Sequence, residues 1–421
     1  MSVPVPLPRI TAFENLGFGL FIHWGLYSQL GEGEWTQKIR NLDRTEYAAL
    51  QKTFTACDFD AEDIARTAKS AGMNYITLTT RHHEGFSLYD TCGLNDFDAP
   101  HSPAGRDLVA EFVAACNKYD IKPFFYHTTI DWHWHNSTTE ELSREEFEEY
   151  LDYLHKSVEI LCTNYGKIGG FWFDGNWARP EDDWKEDRLY GIIRRHQPDA
   201  IIVNNTGLQQ LGKLGHPELD SVTFENNCAE PLNKEGWTKY VAGEVCRTMN
   251  KHWGIGKNDF DFLSPRNVIE HLCHSRRCGA NLLLNIGPEA QGRFPEYEKA
   301  VFNVVAKWTK LYGEAIYKSR PVNGVKCRDK DFILQNGKNF YYFVYDLGIS
   351  SGDPNVTVAI AGIGSRNIDG FCKKVKSAFW MDNDEKIDFI QDTDKKMLSV
   401  KCTGFFYGNQ TCVRVMKIET E

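Results

Sequence analysis

The chain has 421 residues, of which 42% are hydrophobic and 13% aromatic, so it can bury a large core and form a barrel-sized domain plus a smaller one. Its formal net charge of -10, from 48 basic and 58 acidic side chains, argues against binding to nucleic acid or to an anionic membrane surface, because both need a basic face. The sequence shows neither a basic and apolar leader nor a run of about 18 apolar residues, so we expect no membrane association.

The twelve cysteines are spread thinly along the chain and form no CxxC pair. Free, mostly buried thiols in a reducing compartment explain this distribution better than a disulfide framework does. We therefore expect a cytoplasmic protein, with the alternative that a secreted chain trimmed of its signal peptide would show the same sequence.

Short apolar runs are predicted as strands, and most of them end in His, Tyr, Asp, Asn or Glu. In chain order they lie at residues 18–25, 74–80, 122–127, 169–174, 200–205, 221–226, 244–249 and 281–287. The helices predicted between them lie at residues 60–70 with Asp60 as N-cap, at 107–119, at 143–161 behind a Ser143–Glu146 capping box, and at 264–279. Eight strands that alternate with helices predict an α/β fold, a (β/α)8 TIM-like barrel with its active site at the carboxyl ends of the strands. An open doubly wound sheet would instead gather ligand groups around one switch point.

The residue pattern changes after Tyr312, where helical periodicity is replaced by short predicted strands separated by turns. These strands are predicted at residues 332–334, 339–345, 355–360, 377–380, 397–400 and 411–416. We therefore predict a barrel domain at residues 1–318, followed by a small C-terminal antiparallel β-sandwich at residues 319–421 whose default role is to support the barrel.

The run Gly169–Gly175 is the stretch around which this interpretation is built, because an aromatic strand ends there in Asp174 and a glycine. A carboxylate in that place is desolvated on one side and reachable on the other, which suits it to act on a substrate. A lone Asp at a strand end more often caps the following helix. Here the polar ends of the other strands favour a site, while Trp172 and Phe173 are predicted as barrel core.

Indoles and imidazoles collect around a few carboxylates at the predicted barrel mouth. The candidate residues are His23, Glu34, Trp35, His82, His83, Tyr126, His127, Trp132, Asp174, Asn204, Glu225, Glu244 and Trp253. This mixture is typical of carbohydrate sites, since sugars offer apolar faces for stacking and hydroxyls for charged acceptors. Glycoside cleavage needs one ionised and one protonated carboxyl group, and Asp174 and Glu225 meet that need if the barrel brings strands four and six together. For His127 the ordinary alternative is a hydrogen bond to a backbone carbonyl.

A metal site is the competing interpretation of the histidines. His82 and His83 are adjacent, so a strand would point them in opposite directions, and His133 and His135 lie in a loop. Neither pair matches an HExxH helix motif, and the Cys and His residues at 271–278 fit a helix with core cysteines and a surface histidine. The residues therefore favour a site without a metal.

Several segments in order resemble the α-L-fucosidases of glycoside hydrolase family 29 over about residues 12–318. They read FGLFIHWGLYS, GEGEW, YITLTTRHHEGFSLYDT, PFFYHTTIDWHW, GGFWFDGNW, HWGIGKND, GANLLLNIGPEAQG and LYGEAIY. The resemblance implies a retaining exo-hydrolase that removes terminal α-L-fucose from fucosylated oligosaccharides or glycoconjugates. It also implies a covalent fucosyl-enzyme and no metal or organic cofactor.

The same resemblance implies roles for particular residues. Asp174 corresponds to the nucleophile and Glu225 to the general acid/base, with Glu244 as the alternate acid/base or as a carboxylate that supports the site. Trp253 corresponds to the apolar wall that faces the C6 methyl group of fucose. The residues that correspond to the fucose-binding set are His23, Glu34, Trp35, His82, His83 and Tyr126.

One segment departs from the family pattern. Family members often carry an arginine just after the fifth strand, whereas residues 203–207 here read VNNTG. Either an asparagine makes the hydroxyl contacts, or the binding pattern is that of a subgroup with narrower substrate demands. Two other hypotheses stay open: a catalytically inactive sugar-binding barrel, which the presence of both Asp174 and Glu225 argues against, and a metal-dependent barrel hydrolase, which chelator-insensitive activity would exclude.

Overall fold

Eight parallel strands close into a barrel in the computed structural model of this protein, which describes residues 2–233, 235–350 and 361–421. By its internal contacts the chain forms two compact units. One comprises Met1–Leu263 with Asn281–Asn303, and the other comprises Ser264–Ala280 with Val304–Glu421. The domain boundary predicted between residues 318 and 319 stays a prediction.

The barrel strands follow one another around the closed sheet in chain order, as the sequence predicts. They are β1 Phe18–Ile22, β2 Tyr75–Arg81, β3 Lys122–Thr128, β4 Gly170–Asp174, β5 Ile201–Asn205, β6 Ser221–Thr223, β7 Ala242–Thr248 and β8 Ala280–Ile286. Pairing of β1 with β8, in which Phe18 lies opposite Leu282, closes the sheet. Strand β6 is shorter than predicted, although the backbone N–H groups of Phe224 and Asn226 still donate to the β7 carbonyls of Glu244 and Cys246 at 2.9 and 2.8 Å.

The α-helices of the described residues are α1 Pro8–Glu14, α2 Thr36–Ile39, α3 Arg44–Ala48, α4 Ala61–Ser70, α5 Leu108–Lys118, α6 Arg144–Thr163, α7 Glu186–His196, α8 Pro265–Arg277 and α9 Glu296–Ile316. They include the four predicted from the sequence, which are α4, α5, α6 and α8, close to their predicted bounds. Asp60 caps α4 by accepting from the backbone N–H of Asp63 at 2.9 Å, and Ser143 and Glu146 form the capping box of α6. Within the described residues, every helix is too short or too polar to cross a bilayer.

The barrel interior is filled by alternate residues of each strand. On β4 the inward positions are Gly170, Trp172 and Asp174, and on β5 they include Val203 and Asn205. A side chain at Gly170 would collide with the Phe124 ring, so this glycine makes room for an aromatic core residue. Because side chains alternate with a period of two, the inward face of each strand runs from the packed core to the polar mouth of the barrel. At the mouth, Asp174 and Asn205 are paired in register.

The other unit contains antiparallel sheets, as predicted for the C-terminal part of the chain. Its strands are β9 Arg320–Pro321, β10 Phe332–Asn336, β11 Asn339–Val344, β12 Ile349–Ser350, β13 Gly364–Asp369, β14 Val375–Trp380, β15 Phe389–Asp392, β16 Met397–Cys402, β17 Phe405–Phe406 and β18 Arg414–Thr420. One sheet has the order β14-β18-β11-β10-β9 and another the order β13-β16-β15, whereas β12 and β17 form a short parallel pair. The strand predicted at residues 355–360 lies outside the described residues.

Strands β13 and β15 were missed by the apolar pattern because both carry many polar side chains. On β13 the buried positions are Arg366 and Ile368. Arg366 is paired with buried Asp331 at 2.7 Å, so a charge occupies a place where the pattern requires an apolar residue. A buried ion pair of this kind hides a strand from a hydrophobicity-based prediction.

Candidate active site

A cavity of about 670 Å³ opens at the carboxyl ends of the barrel strands. Aromatic and imidazole rings form its floor and one side, the two carboxylates of interest lie at its wall, and the loop after β5 forms another side. The lining residues are Phe21, His23, Trp35, His82, Tyr126, Trp172, Asp174, Trp177, Pro180, Asn205, Thr206, Gly207, Leu208, Gln209, Gln210, Glu225 and Trp253.

Asp174 is held at the cavity wall by hydrogen bonds from three sides. Its Oδ1 accepts from Trp177 Nε1 at 2.8 Å and from Asn205 Nδ2 at 3.4 Å, and its Oδ2 accepts from Tyr126 Oη at 3.1 Å. Gly175, with φ 122°, lets the chain turn immediately after β4 so that Trp177 folds back onto Asp174. The carboxylate is therefore fixed in direction, as an attacking group needs to be.

Asn205 links the two acids of the cavity. Its Nδ2 also donates to Glu225 Oε2 at 2.8 Å, and its Oδ1 accepts from Thr223 Oγ1 at 3.0 Å, which fixes which way the amide points. Because Asn205 Nδ2 contacts both acids, the distance between Asp174 Oδ1 and Glu225 Oε2 is at most the sum of the two hydrogen-bond lengths, 3.4 Å and 2.8 Å. This limit applies to one oxygen of each carboxyl group, and it accommodates the roughly 5 to 5.5 Å separation of the two carboxyl groups in retaining enzymes.

The surroundings of the pair raise the affinity of both acids for protons. Burial, and then the charge of Glu225, raise the pKa of Asp174 to about 7. Burial also raises the pKa of Glu225, against the hydrogen bonds from Asn205 and Trp253. Two carboxyls at this spacing disfavour a double negative charge, so the pair holds one proton over a wide pH range.

Two imidazoles at the site are neutral because burial lowers the pKa of His23 and of His83 to about 3. Asn285 donates through Nδ2 to the Trp253 carbonyl at 2.7 Å, so its Oδ1 accepts from His23 Nδ1 at 2.6 Å. The Nε2 atom of His23 is then a hydrogen-bond acceptor. A lone pair of this kind suits the hydroxyl of a sugar.

Aromatic rings enclose the carboxylate end of the cavity. The Trp35 ring stacks on Trp177 at 5.9 Å and meets the edge of Trp132 at 5.1 Å. Tyr126 stacks between Trp172 at 5.7 Å and His82 at 5.5 Å. Flat apolar faces beside hydrogen-bonding groups suit the amphipathic surface of a sugar ring.

Three of the residues to which the family resemblance gives a role lie behind the lining of the cavity. His83 is buried, with its Nε2 atom 3.5 Å from Asp174 Oδ2. Glu34 Oε2 accepts from the backbone N–H groups of Trp253 at 3.1 Å and Gly254 at 2.8 Å. In this structure Glu34 thus fixes the loop that carries the Trp253 ring to the cavity.

Glu244 is the third residue behind the lining, and it lies beneath the Trp172 ring. The residue is 1% exposed, and its carboxyl accepts from Tyr75 Oη at 2.5 Å and from Trp172 Nε1 at 2.9 Å. An indole therefore stands between this acid and the cavity. Of the two candidates for the acid/base role, Glu225 is the one that reaches the cavity and shares a donor with Asp174.

We expect Glu244→Gln to flatten the pH dependence of folding stability. Burial raises the pKa of Glu244 from 4.5 to about 7, so its stabilisation is present in full below pH 4.5 and is lost as the pH rises through 7. Glutamine mimics the protonated acid, since its carbonyl can accept from Trp172 and its amide can donate to Tyr75 Oη. Between pH 4.5 and 8 the free energy of unfolding should fall by on the order of 3 kcal/mol more in the wild type than in the variant. Urea unfolding at several pH values measures the difference, and parallel curves for the two proteins would contradict it.

Strand alternation corrects the placement of Asn204. Its side chain points out of the barrel, where Nδ2 donates to Tyr190 Oη at 2.9 Å and to Glu186 Oε1 at 3.2 Å, both on α7. Its neighbour Asn205 has the inward position. His127 also points outward, and its Nδ1 contacts the Thr128 carbonyl at 2.8 Å, which is the ordinary alternative expected for it.

The expectation that His82 and His83 point in opposite directions is wrong. Strand β2 ends at Arg81 after a register shift between Thr79 and Arg81, so strand alternation does not apply to the two histidines. Their ring centroids lie 4.3 Å apart at the same end of the barrel. Within the described residues, no three His, Cys, Asp or Glu side chains cluster so as to hold a metal ion.

The sequence interpretation did not single out Asn205, Trp177 or Phe21 as site residues. A signal existed for two of them. Asn205 lies in register with Asp174 on the neighbouring strand, and Phe21 occupies the same inward face of β1 that leads to the mouth. Trp177 is brought to Asp174 by the turn at Gly175, and turn geometry of this kind is not readable from apolar periodicity.

Comparison with known proteins gives consistent matches. A family model described as Alpha-L-fucosidase matches residues 6–314. The tissue alpha-L-fucosidase of Rattus norvegicus is 26% identical over 382 residues, which cover 84% of this chain and 80% of the relative. The structure of alpha-L-fucosidase isoenzyme 1 from Paenibacillus thiaminolyticus has a TM-score of 0.81 at 28% identity, covering 98% of this chain and 99% of that one. An alpha-L-fucosidase from Bacteroides thetaiotaomicron, trapped as a covalent intermediate with 2-fluoro-fucosyl fluoride, shares the fold with a TM-score of 0.82 at 22% identity over 100% of this chain and 98% of its own.

Proposed function

Because the chain belongs to the α-L-fucosidase family of glycoside hydrolases, we propose that it is a retaining enzyme that removes terminal α-L-fucose from the ends of glycans. One observation carries the proposal: Asp174 and Glu225 share the Asn205 amide at the wall of an aromatic-lined cavity, at a spacing that suits retention. The covalent intermediate trapped in the Bacteroides relative supports the same mechanism.

In the first step Asp174 attacks the anomeric carbon of fucose. A bond forms between a carboxylate oxygen and C1 while the bond from C1 to the leaving oxygen breaks, and Glu225 gives its proton to that oxygen. Tyr126, Trp177 and Asn205 hold the attacking carboxylate in place by the hydrogen bonds already present. Ionised Asp174 and protonated Glu225 are one of the two single-proton states that the pair can hold.

In the second step water replaces Asp174 at C1. Glu225, now ionised, takes a proton from the water as its oxygen bonds to the anomeric carbon, and the carboxylate of Asp174 leaves. Two displacements at C1 release α-L-fucose and return the proton to Glu225. Glu225 is the acid in the first step and the base in the second, so the mechanism needs only one carboxyl group in addition to Asp174.

Discrimination between fucose and galactose rests on C6, which is a methyl group in fucose and carries a hydroxyl in galactose. We propose that the Trp253 ring contacts this methyl group. The ring packs 5.1 Å from His23 and 5.8 Å from Phe21, and its backbone is fixed by Glu34. An apolar wall leaves a hydroxyl without a hydrogen-bond partner, which disfavours galactose.

Anomeric NMR of the first product tests this function. With a 4-nitrophenyl α-L-fucoside as substrate, we expect the α-anomer of fucose to appear first and the β-anomer to follow by mutarotation. The matched α-L-galactoside should react more slowly, and a chelator should leave the rate unchanged. Initial β-fucose would exclude retention, binding without turnover would favour an inactive sugar-binding barrel, and chelator-sensitive turnover would favour a metal-dependent hydrolase.

We expect the acid limb of the pH profile of kcat/KM to move to lower pH when Glu225 is replaced by glutamine, which has no charge. Catalysis needs ionised Asp174, so activity of the wild type should fall as the pH drops through about 7, the pKa to which burial and Glu225 raise this carboxyl. In Glu225→Gln one of the two causes is removed, so the limb should move to lower pH. The pH profile with fucosyl fluoride, whose departure needs no acid, measures this shift, and a limb that stays in place would contradict the charge coupling.

We further propose that the protein works in a reducing compartment such as the cytoplasm. All twelve cysteines are free thiols in the structure, but only five of them are buried, so the expectation of mostly buried thiols is wrong. Thiol alkylation of the native protein from its source, read by mass spectrometry, tests this proposal. Twelve alkylated cysteines after denaturation without reductant are expected, whereas protected pairs would contradict it.

A further inference from the structure

The loop that follows β5 forms one side of the cavity without contributing to the sugar-binding cluster. We call its residues Thr206–Gln210 the β5 wall, and all five of them line the cavity. The cavity residues on β1 and β3, directly after β1 and β2, and in the loop after β7 are aromatic or imidazole rings, namely Phe21, His23, His82, Tyr126 and Trp253. The β5 wall instead presents one leucine and two primary amides, and its residues carry no formal charge.

The β5 wall has a defined conformation. The backbone N–H of Gln210 donates to the Gly207 carbonyl at 3.0 Å, and Thr206 Oγ1 donates to the Gln210 carbonyl at 2.9 Å. Leu208 and Gln209 are therefore the two central residues of a hydrogen-bonded turn. Gly207 has φ 89°, and its Cα faces the Trp177 ring, so the turn begins against the indole that binds Asp174.

The position of the β5 wall relative to the two acids determines which part of a substrate it faces. Glu225 follows β6, the neighbour of β5 in the barrel, and Asn205 joins Glu225 to the base of the wall at 2.8 Å. The group that Glu225 protonates is the oxygen of the leaving sugar. The leaving sugar must therefore lie on the Glu225 side of Asp174, where the β5 wall stands.

The side chains of the β5 wall define the chemistry of that sugar. Leu208 is 66% exposed at the cavity, an apolar surface that a sugar ring or an N-acetyl methyl group can cover. The amides of Gln209 and Gln210 can both donate to and accept from hydroxyl groups. A carboxylate on the sugar would find no cation on this wall and would lie beside Asp174 and Glu225.

We propose that Leu208, Gln209 and Gln210 form the subsite for the sugar to which fucose is attached, and that this subsite takes a neutral, hydroxyl-bearing residue rather than an acidic one. The inference rests on the proposed function and deepens it. Leu208 determines specificity here through contact with the departing sugar, and it takes no part in the chemistry at C1.

Two substrates separate this subsite from the catalytic pair. One is the best-cleaved member of a panel of neutral disaccharides with fucose linked to galactose or N-acetylglucosamine, and the other is α-L-fucosyl fluoride, which has no leaving sugar. We expect Leu208→Ser and the double variant Gln209→Ala/Gln210→Ala each to lose about tenfold or more in kcat/KM on the disaccharide. On the fluoride both variants should stay within about twofold of the wild type.

Leu214→Ser is the matched control. Leu214 lies on the same connection between β5 and β6, is 38% exposed, and faces a different cavity. Its replacement should therefore leave kcat/KM unchanged on both substrates. Equal losses on both substrates, or no loss on the disaccharide, would overturn the subsite. A wild type that fails on the fluoride would instead overturn the proposed function.

The charge preference has its own test. The wild type should cleave fucose from a neutral disaccharide at least about tenfold faster than from the same disaccharide with a carboxylate on the leaving sugar. Leu208→Lys should narrow that ratio, because it places a cation on the wall. A wild type that prefers the acidic sugar would overturn the assignment.

Discussion

Asp174→Asn is expected to lower turnover of a 4-nitrophenyl α-L-fucoside by on the order of 10⁴-fold or more, as removal of a covalent nucleophile does. The asparagine has nearly the same shape, so Tyr126 and Trp177 keep a partner and the fold is preserved. An amide oxygen cannot form the glycosyl ester. Steady-state kinetics measure the loss, and calorimetric titration with fucose should show that the sugar still binds.

Asp183→Asn is the control for that variant. Asp183 lies a few residues further along the same connection, is exposed, and pairs with Lys185 at 2.9 Å. We expect its replacement to leave kcat and KM unchanged. Substantial turnover by Asp174→Asn beside a normal Asp183→Asn would remove Asp174 from the role of nucleophile.

Glu225→Ala is expected to produce a loss that depends on the leaving group. On natural glycans, whose leaving oxygen needs a proton, kcat/KM should fall by about 10² to 10⁴-fold, the range of general acid catalysis. On fucosyl fluoride the first step needs no acid, so the enzyme should accumulate as its covalent intermediate. Added azide should then attack C1 without base assistance and release α-L-fucosyl azide, which NMR identifies.

Two further variants decide the identity of the acid/base. Glu230→Ala removes an exposed carboxylate from the same loop and should be neutral on every substrate. Glu244→Gln should change stability as described above without making the loss depend on the leaving group, because Trp172 separates that acid from the cavity. If azide rescues a Glu244 variant and not Glu225→Ala, the acid/base role belongs to Glu244.

The fold followed from the sequence because its signals are local and agree with one another. Asp60 and the Ser143–Glu146 pair mark helix starts by hydrogen bonds within one turn, and the apolar runs mark strands that are buried on both faces. Strands such as β13 were not predicted because their buried polar residues pair with residues distant in the sequence, as Arg366 does with Asp331. Such a pairing exists only once the chain has folded.

The site was predictable at the level of which strand ends carry polar groups, and less so at the level of which atoms meet. Asn204 and Asn205 are the same residue type, and only the register with Asp174 shows that Asn205 faces inward. Glu34 and Glu244 are carboxylates near the mouth. The Glu34 carboxylate, however, accepts hydrogen bonds from backbone N–H groups, and the Glu244 carboxylate accepts them from a tyrosine and an indole. Which carboxylate is left for the substrate depends on these three-dimensional contacts.

The central claim is that Asp174 bonds to the anomeric carbon of fucose while Glu225 transfers the proton. The most direct measurement is mass spectrometry of the protein after incubation with 2-fluoro-fucosyl fluoride, followed by proteolysis and sequencing of the labelled peptide. We predict one fluorofucosyl group per chain, attached through an ester to Asp174. A label on another residue, or a turned-over probe that never modifies the chain, would contradict the account.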